Sequence, residues 1–334
     1  MHARAVAATT TALLGTAALL LPASHARADA EPPTVIAHRG ASAYAPENTL
    51  AAVDKAAELG ISWVENDVQR TKDGELVVLH DDNLKRTTDV EQVFPDRAPW
   101  KVKDFTAAEI ARLDAGSWFG PAHAGARVPT LEQFTDRLEL HHQKLLLEIK
   151  NPDLYPGIER QTLRVLDDAG WLDPHHLASR LIVQSFSADS VRTVHELEPA
   201  VKTGFLGTPP AADLAGYATF ADQINPSYSS ISKGYVASVH AFTGPHGRPL
   251  EVFTWTVNDA DTARLVAGYG VDGIITNTPD VVRDAVSEDP SPAQEPASAP
   301  GALSVVGPTV GAWTAMGSTS SRSCGPSSVR TSVH

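Results

Sequence analysis

Residues 64–81 read VENDVQRTKDGELVVLHD, and this stretch decides the fold. Val64, Val68, Leu76, Val77, Val78 and Leu79 form two apolar runs, and Lys72-Asp73-Gly74 supplies turn chemistry between them. Two such runs around Asp-Gly are the pattern of a β-hairpin. A register in which Arg70 faces Glu75 puts Glu65 opposite His80, and a slip of one residue would turn His80 toward Asn66. Side chains alternate along a strand, so Glu65 and Asp67 share a face. Cross-strand partners lie roughly 5 Å apart at Cβ, so two carboxylates and an imidazole converge. That is the outline of a metal site with an acid/base group beside it. An acid at every second position is also what the wet face of a half-exposed strand looks like, so the rest of the chain has to decide.

Outward from this hairpin, short apolar runs alternate with helical stretches, the pattern of a parallel sheet. Eight barrel strands are expected at 34–38, 62–68, 144–149, 181–186, 201–206, 222–225, 251–257 and 272–276. Helices are expected at 49–59, 131–141, 157–169, 188–197, 211–220, 232–241 and 259–269. Asn48 and Asp259 suit N-cap positions, and Gly60 and Gly170 stand where helices should stop. The return arm of the hairpin is not needed in the barrel. It reads as an antiparallel excursion leading into an insertion at about 82–128 that contains Trp100, Trp118, Phe119 and a weak helix at 107–113. So long a segment makes sense as a small subdomain beside the site. The expected fold class is α/β, a TIM (β/α)8 barrel with a small inserted subdomain after the second strand's hairpin.

The 334 residues carry 27 Lys and Arg against 40 Asp and Glu, a net charge of −13. No basic stripe is available for nucleic acid. A phosphate-bearing ligand would need positive charge supplied locally. Residues 1–28 read as an export signal, with Arg4, an apolar run at 12–21 and small residues at Ala26 and Ala28; Ala28-Asp29-Ala30 is an equal cleavage site. The run is too short for a membrane anchor, so a secreted product is expected. Cys324 is the single cysteine, so no intramolecular disulfide can form and the fold must rest on a large core. Residues 29–285 form the expected barrel domain, and 286–334, rich in Pro, Ser, Ala, Thr and Gly, read as a disordered tail.

In a parallel barrel, working residues stand where strands end. The expected strand ends carry His38-Arg39-Gly40, Glu65 with Asp67, Glu148-Ile149-Lys150, Gln184-Ser185-Phe186 and Trp255-Thr256-Val257-Asn258. Glu65, Asp67 and Glu148 form an oxygen-only ligand set suited to a hard cation, Mg²⁺ or Ca²⁺. For Glu148 a salt bridge to Lys150 is the structural alternative. His38 and His80 can share proton transfer, one taking and one giving. Arg39 and Lys150 can hold phosphate oxygens. Phe186 and Trp255 offer an apolar wall, or packing at the barrel rim.

Taken together these residues closely resemble the glycerophosphodiester phosphodiesterase family. The resemblance runs through His38-Arg39-Gly40, Pro46-Glu47-Asn48-Thr49, Glu65-Asn66-Asp67-Val68, Thr71-Lys72-Asp73-Gly74, His80-Asp81, Glu148-Ile149-Lys150, Trp255-Thr256-Val257-Asn258 and residues 272–280, in order and spacing. Asn66 departs from the apolar residue expected there. The resemblance implies a TIM barrel, one Ca²⁺ or Mg²⁺, and cleavage of glycerophosphodiesters to sn-glycerol 3-phosphate and an alcohol. It implies His38 and His80 as the acid/base pair, Glu65, Asp67 and Glu148 as metal ligands, Arg39 and Lys150 as phosphate contacts, and Glu47 as a supporting residue. Two rivals remain: a lysophospholipase D or sphingomyelinase D relative acting on long-chain lipids, and a non-catalytic barrel that binds polyol phosphates.

Overall fold

A computed structural model describes residues 31–287; the expected signal segment and the expected tail from 288 onward, with Cys324, lie outside them. Residues 286 and 287, placed in the tail from sequence, end the helix Pro279–Ser287. The strands are β1 (Thr34–Ala37), β2 (Trp63–Arg70), β3 (Leu76–Val78), β4 (Lys144–Ile149), β5 (Leu181–Ser185), β6 (Lys202–Leu206), β7 (Gln223–Asn225), β8 (Glu251–Thr254) and β9 (Gly273–Thr276). All except β3 pair in parallel, and β1 bonds both β2 and β9, which closes an eight-stranded barrel. Every expected barrel strand is present. Parallel pairing demands a crossover between successive strands, and the intervening segments supply it with helices such as Leu50–Glu58, Leu131–Leu140, Ile158–Asp168, Ala188–Leu197 and Ala260–Tyr269. Helices end at Gly60 and Gly170, both in the left-handed region. Asp259 caps its helix as expected, but the cap expected at Asn48 is Thr49, whose Oγ1 accepts from the Ala52 N–H. The expected helix at 211–220 breaks into a 3-10 turn, Ala211–Asp213, and a single α-turn, Leu214–Tyr217. Helices at Pro174–Ser179 and Pro279–Ser287 were not expected from the sequence.

Alternation along the strands divides the residues between two environments. Ile36, Leu146, Ile182, Phe253 and Ile275 pack together inside the barrel. Their outward neighbours, such as Val64, Leu145, Leu147 and Val183, pack against the helices in one large cluster. Two residues further along, the inward positions become Glu65, Glu148 and Gln184, so an apolar floor carries a polar layer toward the C-terminal mouth.

The hairpin register differs from the expected one. Val68 faces Val78, Gln69 faces Val77 and Arg70 faces Leu76. The Thr71 N–H donates to the Glu75 carbonyl, so the loop is the three residues Lys72-Asp73-Gly74, with Gly74 at φ +94°. A three-residue hairpin loop needs that left-handed position, and closing on Thr71 shifts every pair by one. Extended regularly, this ladder would carry His80 to the Asn66 side. It stops instead with the Leu79 N–H on the Asp67 carbonyl. The Gln69 side-chain amide then donates to the carbonyls of Leu79, His80 and Asp81, holding the departing chain.

The insertion builds a small core of its own. Leu84, Val102, Phe105, Ile110 and Leu113 are buried with Val77 and Leu79 from the hairpin. Its helix Ala107–Ile110 starts in a reciprocal cap between Thr106 and Glu109, which satisfies two of the free N–H groups at the helix start.

Gly40 fixes how the chain leaves β1. Its φ is +80°, and a Cβ there would lie 2.5 Å from the Ala52 Cβ and 2.7 Å from the Ala52 carbonyl carbon. Gly40→Ala is therefore expected to lower unfolding free energy by about 2 kcal/mol or more, read from urea denaturation. A loss below about 0.5 kcal/mol, the usual range for a neutral surface change, would show that the turn has slack.

Candidate active site

The mouth of the barrel holds a cavity of about 100 Å³ whose wall includes His38, Arg39, Glu65, His80, Glu148, Lys150, Phe186 and Trp255. Two of the ten expected site residues, Asp67 and Glu47, stand behind that wall. Asp67 is fully buried beneath it, and Glu47 accepts from Arg39 Nη1 at 2.9 Å.

β2 and β4 set the acidic group. Asp67 pairs directly with Glu148 across neighbouring strands, and Glu65 lies one inward position below. Carboxylate oxygens of the three residues all lie within 4.8 Å of one another. Such crowding has a clear electrostatic cost. Burial, then the charges of Asp67 and Glu148, holds the Glu65 carboxyl well above its ordinary value. Burial and the nearby Asp67 raise Glu148 to about 8, against the pull of Lys150. Burial also pushes Asp67 upward, but Arg39, Lys150, His80 and the Asn48 amide together outweigh it and leave Asp67 below its ordinary value.

The cations around this group are fixed by short contacts. Lys150 Nζ sits 2.8 Å from Glu148 Oε1 and 3.6 Å from Asp67 Oδ1. The salt bridge weighed as the structural alternative for Glu148 is therefore present, and Lys150 leans on Asp67 as well. Arg39, at φ +58°, donates its backbone N–H to Glu65 Oε2 at 2.8 Å and places Nε 3.3 Å from Asp67 Oδ2. Asn48, also left-handed at φ +58°, donates its amide to the same Asp67 oxygen at 2.8 Å. Asp67 Oδ1 is buried and has no hydrogen-bond donor among the described residues. An orphan carboxylate oxygen facing two further buried carboxylates fits a hard cation with oxygen ligands.

Both histidines are held through Nδ1. His38 Nδ1 lies 2.7 Å from Asn277 Oδ1, and His80 Nδ1 lies 2.8 Å from Asp81 Oδ1. With Nδ1 donating in each case, Nε2 remains to exchange a proton with whatever occupies the cavity. Burial, then Arg39, lowers His38 to about 4, so it is neutral at ordinary pH. Burial also lowers His80, with Arg39 and Lys150 adding to the lowering against the attraction of Asp67 and the hydrogen bond to Asp81. Opposite them, Phe186 meets Trp255 edge to face at 5.6 Å, and Trp255 is pinned by its indole N–H on the Asn225 carbonyl. Phe186 lines the cavity and remains 52% exposed, on its solvent side.

Asn48, Asn277, Gln69 and Asp81 escaped the sequence reading as site residues. Asn277 had a signal, since it directly follows β9 and strand-end polarity was the criterion applied elsewhere. Asn48 stood in the Pro46-Glu47-Asn48-Thr49 segment but reads there only as a helix cap, and Gln69 had no signal: their partners lie 19 and about a dozen residues away.

Barrel and cavity define the class: a (β/α)8 enzyme whose mouth joins an acidic cluster able to bind a metal with a cationic wall suited to an anion. Residues 38–281 match the model of the Glycerophosphoryl diester phosphodiesterase family. The chain belongs to that family, and is a phosphoric diester hydrolase. It is 37% identical to a glycerophosphodiester phosphodiesterase of Bacillus subtilis over 260 residues, covering 74% of this chain and 84% of the relative. A glycerophosphodiester phosphodiesterase of Caldanaerobacter subterraneus is 37% identical over 256 residues, covering 75% and 97%. Among solved structures, an Oleispira antarctica phosphodiesterase in complex with the product sn-glycerol-3-phosphate matches with a TM-score of 0.66 and 28% identity. That match covers 77% of this chain and 98% of the other.

Proposed function

We propose that this enzyme hydrolyses glycerophosphodiesters to sn-glycerol 3-phosphate and an alcohol, using one divalent cation, Ca²⁺ or Mg²⁺, held by Glu65, Asp67 and Glu148. The observation that carries this reading is the meeting of three carboxylates, two imidazoles and two cationic side chains at one cavity. When bound, the cation supplies Lewis-acid polarisation of the phosphoryl group. Arg39 and Lys150 bind the phosphate oxygens and offset charge that develops there. A water oxygen bonds to phosphorus as the bond to the departing alcohol breaks. One of His38 and His80, neutral, takes the water's proton at Nε2, and the other, entering as the imidazolium, gives its Nε2 proton to the leaving oxygen. Glu47 steadies Arg39, and Phe186 and Trp255 exclude water from the apolar side. The cationic side chains supply the local positive charge that the net charge of −13 does not.

Purified protein with Ca²⁺ or Mg²⁺ is expected to release glycerol 3-phosphate from glycerophosphocholine, followed by a coupled dehydrogenase assay. No release with either cation, from any of several glycerophosphodiesters, would overturn the reading. The exposure of Phe186 favours testing lysophosphatidylcholine beside them. Phe186→Ala is expected to raise KM about tenfold for a substrate that packs a chain on this ring, the value of roughly 1.4 kcal/mol of lost apolar contact. An equal, small effect on both substrates would show that the ring does not read the alcohol. We further propose that the enzyme acts outside the cell after removal of residues 1–28. That rests on the sequence of the leader; among the described residues no helix is long and apolar enough to cross a membrane.

A further inference from the structure

The two carboxylates that steady the site from behind, Glu47 and Asp81, meet on a single side chain of the insertion. Arg86 donates through Nη1 and Nη2 to the two oxygens of Glu47, each at 2.8 Å. Through Nε and Nη2 it donates to Asp81 at 2.7 and 3.0 Å. Four hydrogen bonds from one planar group make two forks, a geometry that only a guanidinium offers. From Glu47 the contact runs to Arg39, and from Asp81 to His80 Nδ1. Arg86 itself is held by the insertion. Leu84 is fully buried with its N–H on the Trp100 carbonyl, and Thr88 Oγ1 returns to the Leu84 carbonyl.

We propose that Arg86 is a positioning residue for this reaction: its two carboxylate forks fix the His80 imidazole and the Arg39 guanidinium together, so that the insertion completes the active site. This role rests on the proposed hydrolysis, in which His80 and Arg39 take part. Ion pairs at a side chain 43% exposed contribute little to stability. Their value here lies in alignment, where a displacement on the order of 1 Å can cost about a hundredfold in rate. The hydrogen bonds of Arg86, opposed by burial, hold Asp81 at about 2, so the acceptor beside His80 is a carboxylate at working pH.

The test compares wild type, Arg86→Ala, Arg86→Lys and a neighbouring control, Lys85→Ala, for kcat, KM and melting temperature on glycerophosphocholine. Both Arg86 variants are expected to lose about a hundredfold in kcat, with KM within about threefold and the melting temperature nearly unchanged. Lysine keeps the charge but cannot fork two carboxylates. Added guanidinium is expected to restore at least about tenfold of the Arg86→Ala loss, where equal ammonium does not. Lys85→Ala should match wild type. A kcat within about threefold of wild type in both Arg86 variants would overturn the proposal. So would a loss that guanidinium leaves untouched. An inactive wild type would instead overturn the functional reading on which it stands.

Discussion

Replacing His38 or His80 with alanine is expected to lower kcat by about 10²–10⁴-fold, the usual contribution of a positioned acid or base, while leaving KM within a few-fold. Neither ring holds up the barrel. Among the described residues the His80 ring hydrogen-bonds Asp81 alone, and that carboxylate keeps Arg86 after the ring is gone. His38 bonds Asn277 through Nδ1, so its loss leaves one amide oxygen to find water. The double variant should be little worse than the poorer single one, because two groups serving one proton relay are not additive. Single-turnover kinetics separates chemistry from product release. Near wild-type turnover in either variant would remove that histidine from the proton traffic.

Stripping the enzyme with chelator is expected to abolish turnover, by at least about a hundredfold, and to make its stability fall as pH rises above neutrality. The sign follows from proton counting. Glu148 titrates at about 8 in the fold against an ordinary 4.5, and Glu65 is also raised. Between those values the folded state binds more protons than the unfolded chain, so stability declines with rising pH. His38 and His80, lowered by burial, act oppositely as pH rises toward 6.5 and are spent above it. His240, raised by its hydrogen bond to Asp272, adds to the decline. The window to inspect is therefore pH 6.5 to 8. There each pH unit per mismatched group is worth up to about 1.4 kcal/mol. Ca²⁺ or Mg²⁺ should raise the melting temperature more at pH 8 than at pH 6.5, since a cation binds the ionised carboxylates. Glu148→Gln should flatten the chelated profile and lose the cation-dependent rise, which separates it from the His240 contribution. A melting temperature indifferent to both cations would show that Glu65, Asp67 and Glu148 are a structural cluster held by Lys150 and Arg39.

Several features of the site were local and therefore legible. Glu65 and Asp67 alternate on one strand, and that spacing alone puts them on one face. Glu148, His38 and Trp255 end apolar runs of strand length, and a parallel barrel brings strand ends together whatever the loops do. The register of the hairpin was not legible in the same way. Arg70–Glu75 and Thr71–Glu75 closures suit the same residues, and the choice fell to Gly74 in its left-handed position. His80 reaches the cavity despite that shift because the ladder ends and Gln69 holds the departing carbonyls, a contact across two strands.

By itself, the order of residues determined the alternation of strands and helices, the closed barrel that follows, and the chemistry gathered at its strand ends. Those depend on side-chain type and short periods, which are written locally. Tertiary structure alone decided that Asn48 and Arg39 share Asp67, that Asn277 steadies His38 from 239 positions away, and that Arg86 joins both arms of the site. Hydrogen bonds act over about 3 Å, and which distant residues come that close is a property of the packed chain.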